Sequence, residues 1–237
     1  MPHVTFMPNG IHEFLKNRIS QKNFSGLTLS LLSLIFLSLI ILFTYLIRDI
    51  VTTQAIVGWD AHIENYLYLS RSPIFVNIFL AVTLLGNQYV VAGLALFLSA
   101  ILIANGKKIY ASTVCLLVFG TGISAYLSKI LIHRARPGGL IPYYNEVSFS
   151  FPSLHAANAV ALYGFLMVIV FSIVKNTTRG YLFFLGTLLI ALIGFSRMYL
   201  GVHYMSDVLG GYMLGFLWLI VGIIIIKSTP NSSRLTR

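Results

Sequence analysis

The chain has 237 residues, 57% of them hydrophobic and only 9% charged. A soluble domain carries about 25% charged residues, so this composition excludes a water-soluble globular protein and makes lipid the solvent. The net charge of +10 comes from basic residues scattered between apolar runs, which excludes a basic nucleic-acid-binding domain and suits the flanks of membrane spans.

Residues 1–23 are polar and basic, with Lys16, Arg18 and Lys22. An apolar run from Gly26 to Ile47 follows. It is long enough to cross a bilayer, too long for a signal-peptide core, and followed by no small-residue cleavage site, so it reads as a retained first span. Residues 48–71 are mixed, with Asp49, Trp59, Asp60, Glu64 and Arg71, as expected of an interfacial loop holding a short helix. Residues 72–104 are apolar but interrupted by Gly86-Asn87-Gln88. The break predicts a short membrane-dipping helix over 73–86 and a second span over 88–105. Asn105-Gly106-Lys107-Lys108 is a tight turn, and a third span covers 109–133. A loop over 134–151 contains Pro137, Gly138, Gly139 and Pro142. The fourth span covers 153–174, a polar turn runs from Lys175 to Gly180, and spans five and six cover 181–199 and 204–226. There is no internal repeat. The expected fold is all-α: one polytopic membrane domain over 1–237, six spans, with short interfacial helices between the first and second. Cys115 is the single cysteine and reads as packing.

Six spans put both termini on one side. With the termini inside, ten basic residues are cytoplasmic: Lys16, Arg18, Lys22, Lys107, Lys108, Lys175, Arg179, Lys227, Arg234 and Arg237. Six lie on the outer half: Arg48, Arg71, Lys129, Arg134, Arg136 and Arg197. The positive-inside rule therefore predicts cytoplasmic termini. Four of the six exceptions cluster at 129–136 and 197, which points to another reason for keeping them.

Three segments meet the outer boundary in this topology. They are "KILIHRARP" (129–137), "PSLH" (152–155) and "SRMYLGVHYMSD" (196–207). Ionisable side chains at membrane depth are costly and either pair or mark a site. Lys129 and Arg136 are seven apart and His203 and Asp207 four apart, spacings that share a helical face. A carboxylate on an imidazole fixes its tautomer and leaves the other nitrogen free as base or nucleophile. Cations and a helix N-terminus match phosphate oxygens. Two histidines and a carboxylate suit phosphoryl transfer without a metal, one histidine attacking phosphorus and the other moving the proton. No Asp/Glu cluster is present to hold a metal ion.

These motifs resemble the type 2 phosphatidic acid phosphatase superfamily of membrane lipid phosphatases, whose pattern is K-x6-R-P, then P-S-G-H, then S-R-x5-H-x3-D. The resemblance covers about residues 60–225. It implies a phosphate-accepting nucleophile at His203, oriented by Asp207, and a general acid/base at His155. It implies phosphate binding by Lys129, Arg136, Ser153, Leu154 (through its N–H) and Arg197, with no cofactor. Leu154 departs from the pattern, where glycine is usual. A helical backbone there tolerates leucine and a positive φ does not. "PSLH" also resembles lipid phosphotransferases of the inositol phosphorylceramide synthase group.

The expected activity is hydrolysis of a lipid phosphomonoester or diphosphate, of the undecaprenyl diphosphate, phosphatidic acid or phosphatidylglycerol phosphate type, through a phosphohistidine. The alternatives are transfer to a lipid alcohol and a non-catalytic lipid-binding or transport homologue. The expected setting is the cell membrane, with the site on the outer or periplasmic side. Expected partners are the lipid phosphate substrate and membrane lipids. Other residues take plainer readings. His133 and Arg134 read as interfacial anchors or loop residues, and His62 and Glu64 as part of an interfacial helix. Tyr199 and Tyr204 read as interfacial aromatics, Ser196 as capping or packing, and Gly210, Gly211 and Gly215 as small-residue helix packing.

Overall fold

The structure is a computed structural model that describes residues 27–53, 55–138 and 146–229. The terminal basic residues Lys16, Arg18, Lys22, Arg234 and Arg237, with Gly139 and Pro142 of the loop, lie outside the described residues. All regular structure among the described residues is helical.

Helix α1 spans Leu27–Arg48 and runs on as a π-helical turn, Asp49–Thr53. The Asp49 carboxylate accepts the Ile56 N–H at 2.7 Å and so ties α1 to α2, Ala55–Leu69. Helix α3, Pro73–Leu84, starts with Ser72 as N-cap and proline at its first position, both of which suit a helix start. Helix α4, Gln88–Ala104, is capped by Asn87, whose side chain accepts the Tyr89 N–H at 2.9 Å. Helix α5 covers Lys108–Ile132 and ends at His133, which is left-handed with φ 50°. Helix α6, Leu154–Phe171, contains a π-helical stretch at Ala159–Gly164. Helix α7 is Asn176–Tyr199 and α8 is Met205–Ser228.

Five helical segments are long and apolar enough to cross a membrane: Leu27–Thr53, α5, α6, α7 and α8. The pair α3 and α4, bent by 41° at the Leu85–Asn87 break, adds a sixth when the two are counted as one span. The break expected at Gly86-Asn87-Gln88 is thus present. The short helix expected over 73–86 is Pro73–Leu84, and the span expected over 88–105 is Gln88–Ala104. The other boundaries fall within a few residues of expectation, except that α7 begins at Asn176 inside the expected polar turn.

Helix α8 is the hub and packs on α1, α5, α6 and α7. It approaches α6 closely because Gly211 has no side chain: a Cβ there would run into the Ser153 carbonyl and lie 2.9 Å from the Ala156 Cβ. Small residues at such contacts are the usual device for helices in lipid. The interior is filled by Val91, Leu117, Val160, Phe165 and Ile169 among others. Leu34, Leu37 and Ile41 of α1 point outward, as a lipid-facing helix requires.

Candidate active site

The site assembles from the start of α6, the end of α7, the start of α8 and the loop after α5. Ser153 is the N-cap residue of α6, and its N–H donates to the Asp207 carbonyl at 3.0 Å. This bond docks the start of α6 on the start of α8. Leu154 opens the helix, and among non-glycine residues of the described chain only His133 has a positive φ. Leucine is therefore in ordinary helical geometry, and its side chain packs beside Ala125, Ala157 and Leu214. His155 follows, buried, its Nε2 without a hydrogen-bond partner among the described residues. The α3–α4 break passes directly over it, since a Cβ on Gly86 would lie 3.1 Å from that of His155.

His203 stands in the short turn between α7 and α8, whose Gly201 has φ +69°. Arg136 Nη1 donates toward His203 Nε2 at 3.2 Å, and Asp207 Oδ2 lies 3.5 Å from Nδ1. An accepting Nε2 assigns the ring proton to Nδ1, facing the carboxylate. Burial, with Arg197, Arg136 and Lys129 adding repulsion, pushes the His203 imidazole well below the ordinary histidine range. It is neutral at neutral pH.

The shared-face reading of the two spaced pairs needs correction. Helix α5 stops at Ile132, so Arg136 lies in the following loop and not two turns along a helix from Lys129. The left-handed His133 turns the chain there. His203 precedes α8, so Asp207 reaches it from the helix's first turn, accepting the Tyr204 N–H at 2.9 Å on the way. The pairs meet, by a turn instead of a helical stripe.

Arg136 donates to the Ser148 and Val202 carbonyls at 2.6 and 2.7 Å. Arg197 is fully buried and donates to Thr83 Oγ1 at 2.8 Å. Both arginines hold one carboxylate: Glu146 Oε2 is 3.2 Å from Arg136 and Oε1 is 2.9 Å from Arg197. Lys129 Nζ donates to the Phe149 carbonyl. A cavity of about 780 Å³ opens beside them. Lys129, Arg136, Glu146, Leu154, His155 and His203 line its polar end, with Asn87 and Gln88 of the α3–α4 break. Val118, Phe119, Ile123 and Tyr126 of α5 make its apolar wall. Ser153, Arg197 and Asp207 do not line it; Arg197 holds Glu146 and Asp207 faces His203 from outside the cavity.

Three residues of this region had no functional reading in the sequence. Glu146 is one. Asp60 and Arg134 are the others; Arg134 is the loop residue that one of its readings made it, but both side chains are largely buried. Arg134 bridges Asp60 and Asp207 at 2.6 Å each, with both carboxylates inaccessible. Its guanidinium lies 4.5 Å from the centre of the Tyr204 ring. Burial disfavours the charge, but Asp207 and Asp60 outweigh it and hold the group above the usual arginine range. A signal did exist, because the chain has only six acidic residues against 16 basic ones. Each carboxylate was a scarce partner for a cation at membrane depth.

A family model for the PAP2 superfamily matches residues 106–229. Phosphatidylglycerophosphatase B of Bacillus subtilis (strain 168) is 33% identical over 184 residues, covering 74% of this chain and 87% of that protein. The crystal structure of a transmembrane PAP2-type phosphatidylglycerolphosphate phosphatase from Bacillus subtilis superposes with a TM-score of 0.74 at 26% identity, covering 83% of this chain and 98% of that one. The crystal structure of Aquifex aeolicus LpxE superposes with a TM-score of 0.50 at 26% identity, covering 70% and 94%.

Proposed function

The chain belongs to the PAP2 superfamily and is a membrane lipid phosphatase; from that premise we propose that it hydrolyses a lipid phosphomonoester or diphosphate through a phosphohistidine on His203. Phosphatidylglycerophosphate is the first substrate to test, in line with the phosphatases it is similar to. One observation carries the reading. Arg136 touches both the Glu146 carboxylate and His203 Nε2, so an anion taking the place of Glu146 would lie against the imidazole. Arginine forks that hold a carboxylate also fit phosphate oxygens. The apolar wall of the cavity suits a lipid tail beside that anion.

In the proposed reaction His203 Nε2 attacks phosphorus while the phosphate–ester oxygen bond breaks. The leaving oxygen takes a proton from His155 Nε2. Water then attacks the phosphohistidine, its proton returns to His155, and the phosphorus–nitrogen bond breaks to release phosphate. Arg136, Arg197 and Lys129 balance charge on the phosphoryl oxygens. Asp207 holds the Nδ1 proton of His203. The Leu154 N–H and the Ser153 hydroxyl, which has no partner among the described residues, are further donors to the phosphate.

The test is phosphate release by the purified protein from phosphatidylglycerophosphate, phosphatidic acid and undecaprenyl diphosphate. We expect release that persists in excess chelator and falls by roughly a thousandfold or more in His203→Ala. Full activity in that variant, or loss on chelation, refutes the mechanism. Chromatography of the lipid products separates hydrolysis from transfer to a lipid alcohol.

A further inference from the structure

We propose that Arg134, anchored by Asp60, is a positioning residue for the Asp207–His203 pair, fixing the rotation of the Asp207 carboxylate so that one oxygen addresses the imidazole. The inference rests on His203 being the nucleophile and adds two residues to that site.

The geometry divides the Asp207 carboxylate. Oδ1 accepts from Arg134 Nη1 at 2.6 Å, while Oδ2 accepts the Tyr204 N–H at 2.9 Å and faces His203 Nδ1 at 3.5 Å. The guanidinium cannot drift, because its other arm donates to Asp60 Oδ2 at 2.6 Å. Asp60 is itself fixed on the start of α8: its Oδ1 accepts the Ser206 N–H at 2.9 Å and its Oδ2 the Ser206 hydroxyl at 2.5 Å. Ser206 Oγ lies 2.6 Å from Arg134 Nη1 and closes the ring of contacts. A planar guanidinium between two carboxylates sets direction as well as charge, which a flexible ammonium does not.

This cluster belongs to catalysis by position only. Neither Arg134 nor Asp60 lines the cavity, and their polar arms are taken up by Asp207, Ser206 and each other. Asp60 comes from α2, outside the 106–229 region that the family model matches. The segment before that region therefore supplies part of the site's support. His203 is surrounded by Lys129 from α5, Arg136 and Glu146 from the following loop, His155 from α6, Arg197 from α7 and Asp207 from α8. Arg134 and Asp60 add one charge of each sign behind Asp207, and the two should pull the imidazole in opposite directions.

The experiment measures kcat, KM and the pH dependence of kcat/KM on phosphatidylglycerophosphate. It uses the full chain in detergent as wild type, Arg134→Gln, Arg134→Lys, Asp60→Asn and His203→Ala. Arg134→Gln should lower kcat by about a hundredfold, as small misplacements of reacting groups do, with KM held within about twofold. Arg134→Lys should recover part of the loss. Removing the cation stabilises protonated His203, so the acid limb of Arg134→Gln should move to higher pH. Removing the Asp60 charge does the reverse, so the limb of Asp60→Asn should move to lower pH. Limbs that stay in place or move the same way, or a loss carried by KM, overturn the proposal. If Arg134→Gln is not recovered folded, Asp60→Asn decides alone: a downward shift supports the proposal and any other result overturns it. An active His203→Ala refutes the nucleophile reading itself. An inactive one with unmoved limbs refutes only the positioning role.

Discussion

At the residue scale, the same motif letters meet for reasons different from those their spacing suggested. His203 and Asp207 were legible as a pair, but their contact depends on Asp207 sitting in the first turn of α8 and reaching back. Leu154 was the doubtful letter of "PSLH". It sits at an ordinary helix start with its side chain free to pack, and the proposed phosphate contact asks only for its backbone N–H. Glu146 carried no motif, yet it holds Arg136 and Arg197 together. A phosphate using both arginines has to displace it. The Glu146 side chain is 25% exposed, so its pairing is worth about 1 kcal/mol. Glu146→Gln should then lower KM about fivefold, read by initial-rate kinetics. A raised KM would show that Glu146 assists binding instead of competing with it.

At the scale of elements, close packing decides where the start of α6 lies. Apolar periodicity marked α5, α6, α7 and α8 clearly, because each must turn apolar side chains to lipid or core. It did not say how near α6 and α8 approach. Gly211 sets that distance against the Ser153 carbonyl and Ala156, and Ser153 N–H to Asp207 carbonyl sets the register. Gly211→Ala should therefore destabilise the protein by about 1–3 kcal/mol, the usual cost of overfilling a packed contact. Thermal unfolding in detergent measures it, and kcat should fall alongside as Ser153 and His155 shift. An unchanged midpoint and kcat would show that the α6–α8 contact yields freely. Likewise the break after α3 was visible as Gly86-Asn87-Gln88, but its place over His155 was not.

At the scale of the whole molecule, the site lies at the end of the bundle where α5 and α7 finish and α6 and α8 begin. The Asn105–Lys107 turn lies at the other end of α5. By the positive-inside rule we propose that the site end faces the outer side of the membrane. Val147, 98% exposed beside the site, and Lys107 at the opposite end report the two sides. With Cys115 replaced by serine, Val147→Cys should react with a membrane-impermeant maleimide on intact cells and Lys107→Cys should not. The reverse pattern would invert the topology and place the chemistry in the cytoplasm.

By itself the sequence determined the solvent, the run of apolar helices and the chemistry, because composition, periodicity and motif spacing are local properties. Lys129, Arg136, Ser153, His155, Arg197, His203 and Asp207 could all be picked out in that way. Only the tertiary structure decided which of them face the cavity and which support from behind. It also brought in Asp60, 74 residues before Arg134, and set Glu146 between two arginines. Those partnerships are made by charge balance in a buried space. A buried cation must find a carboxylate wherever the packing brings one near, and no periodicity in the chain records that choice.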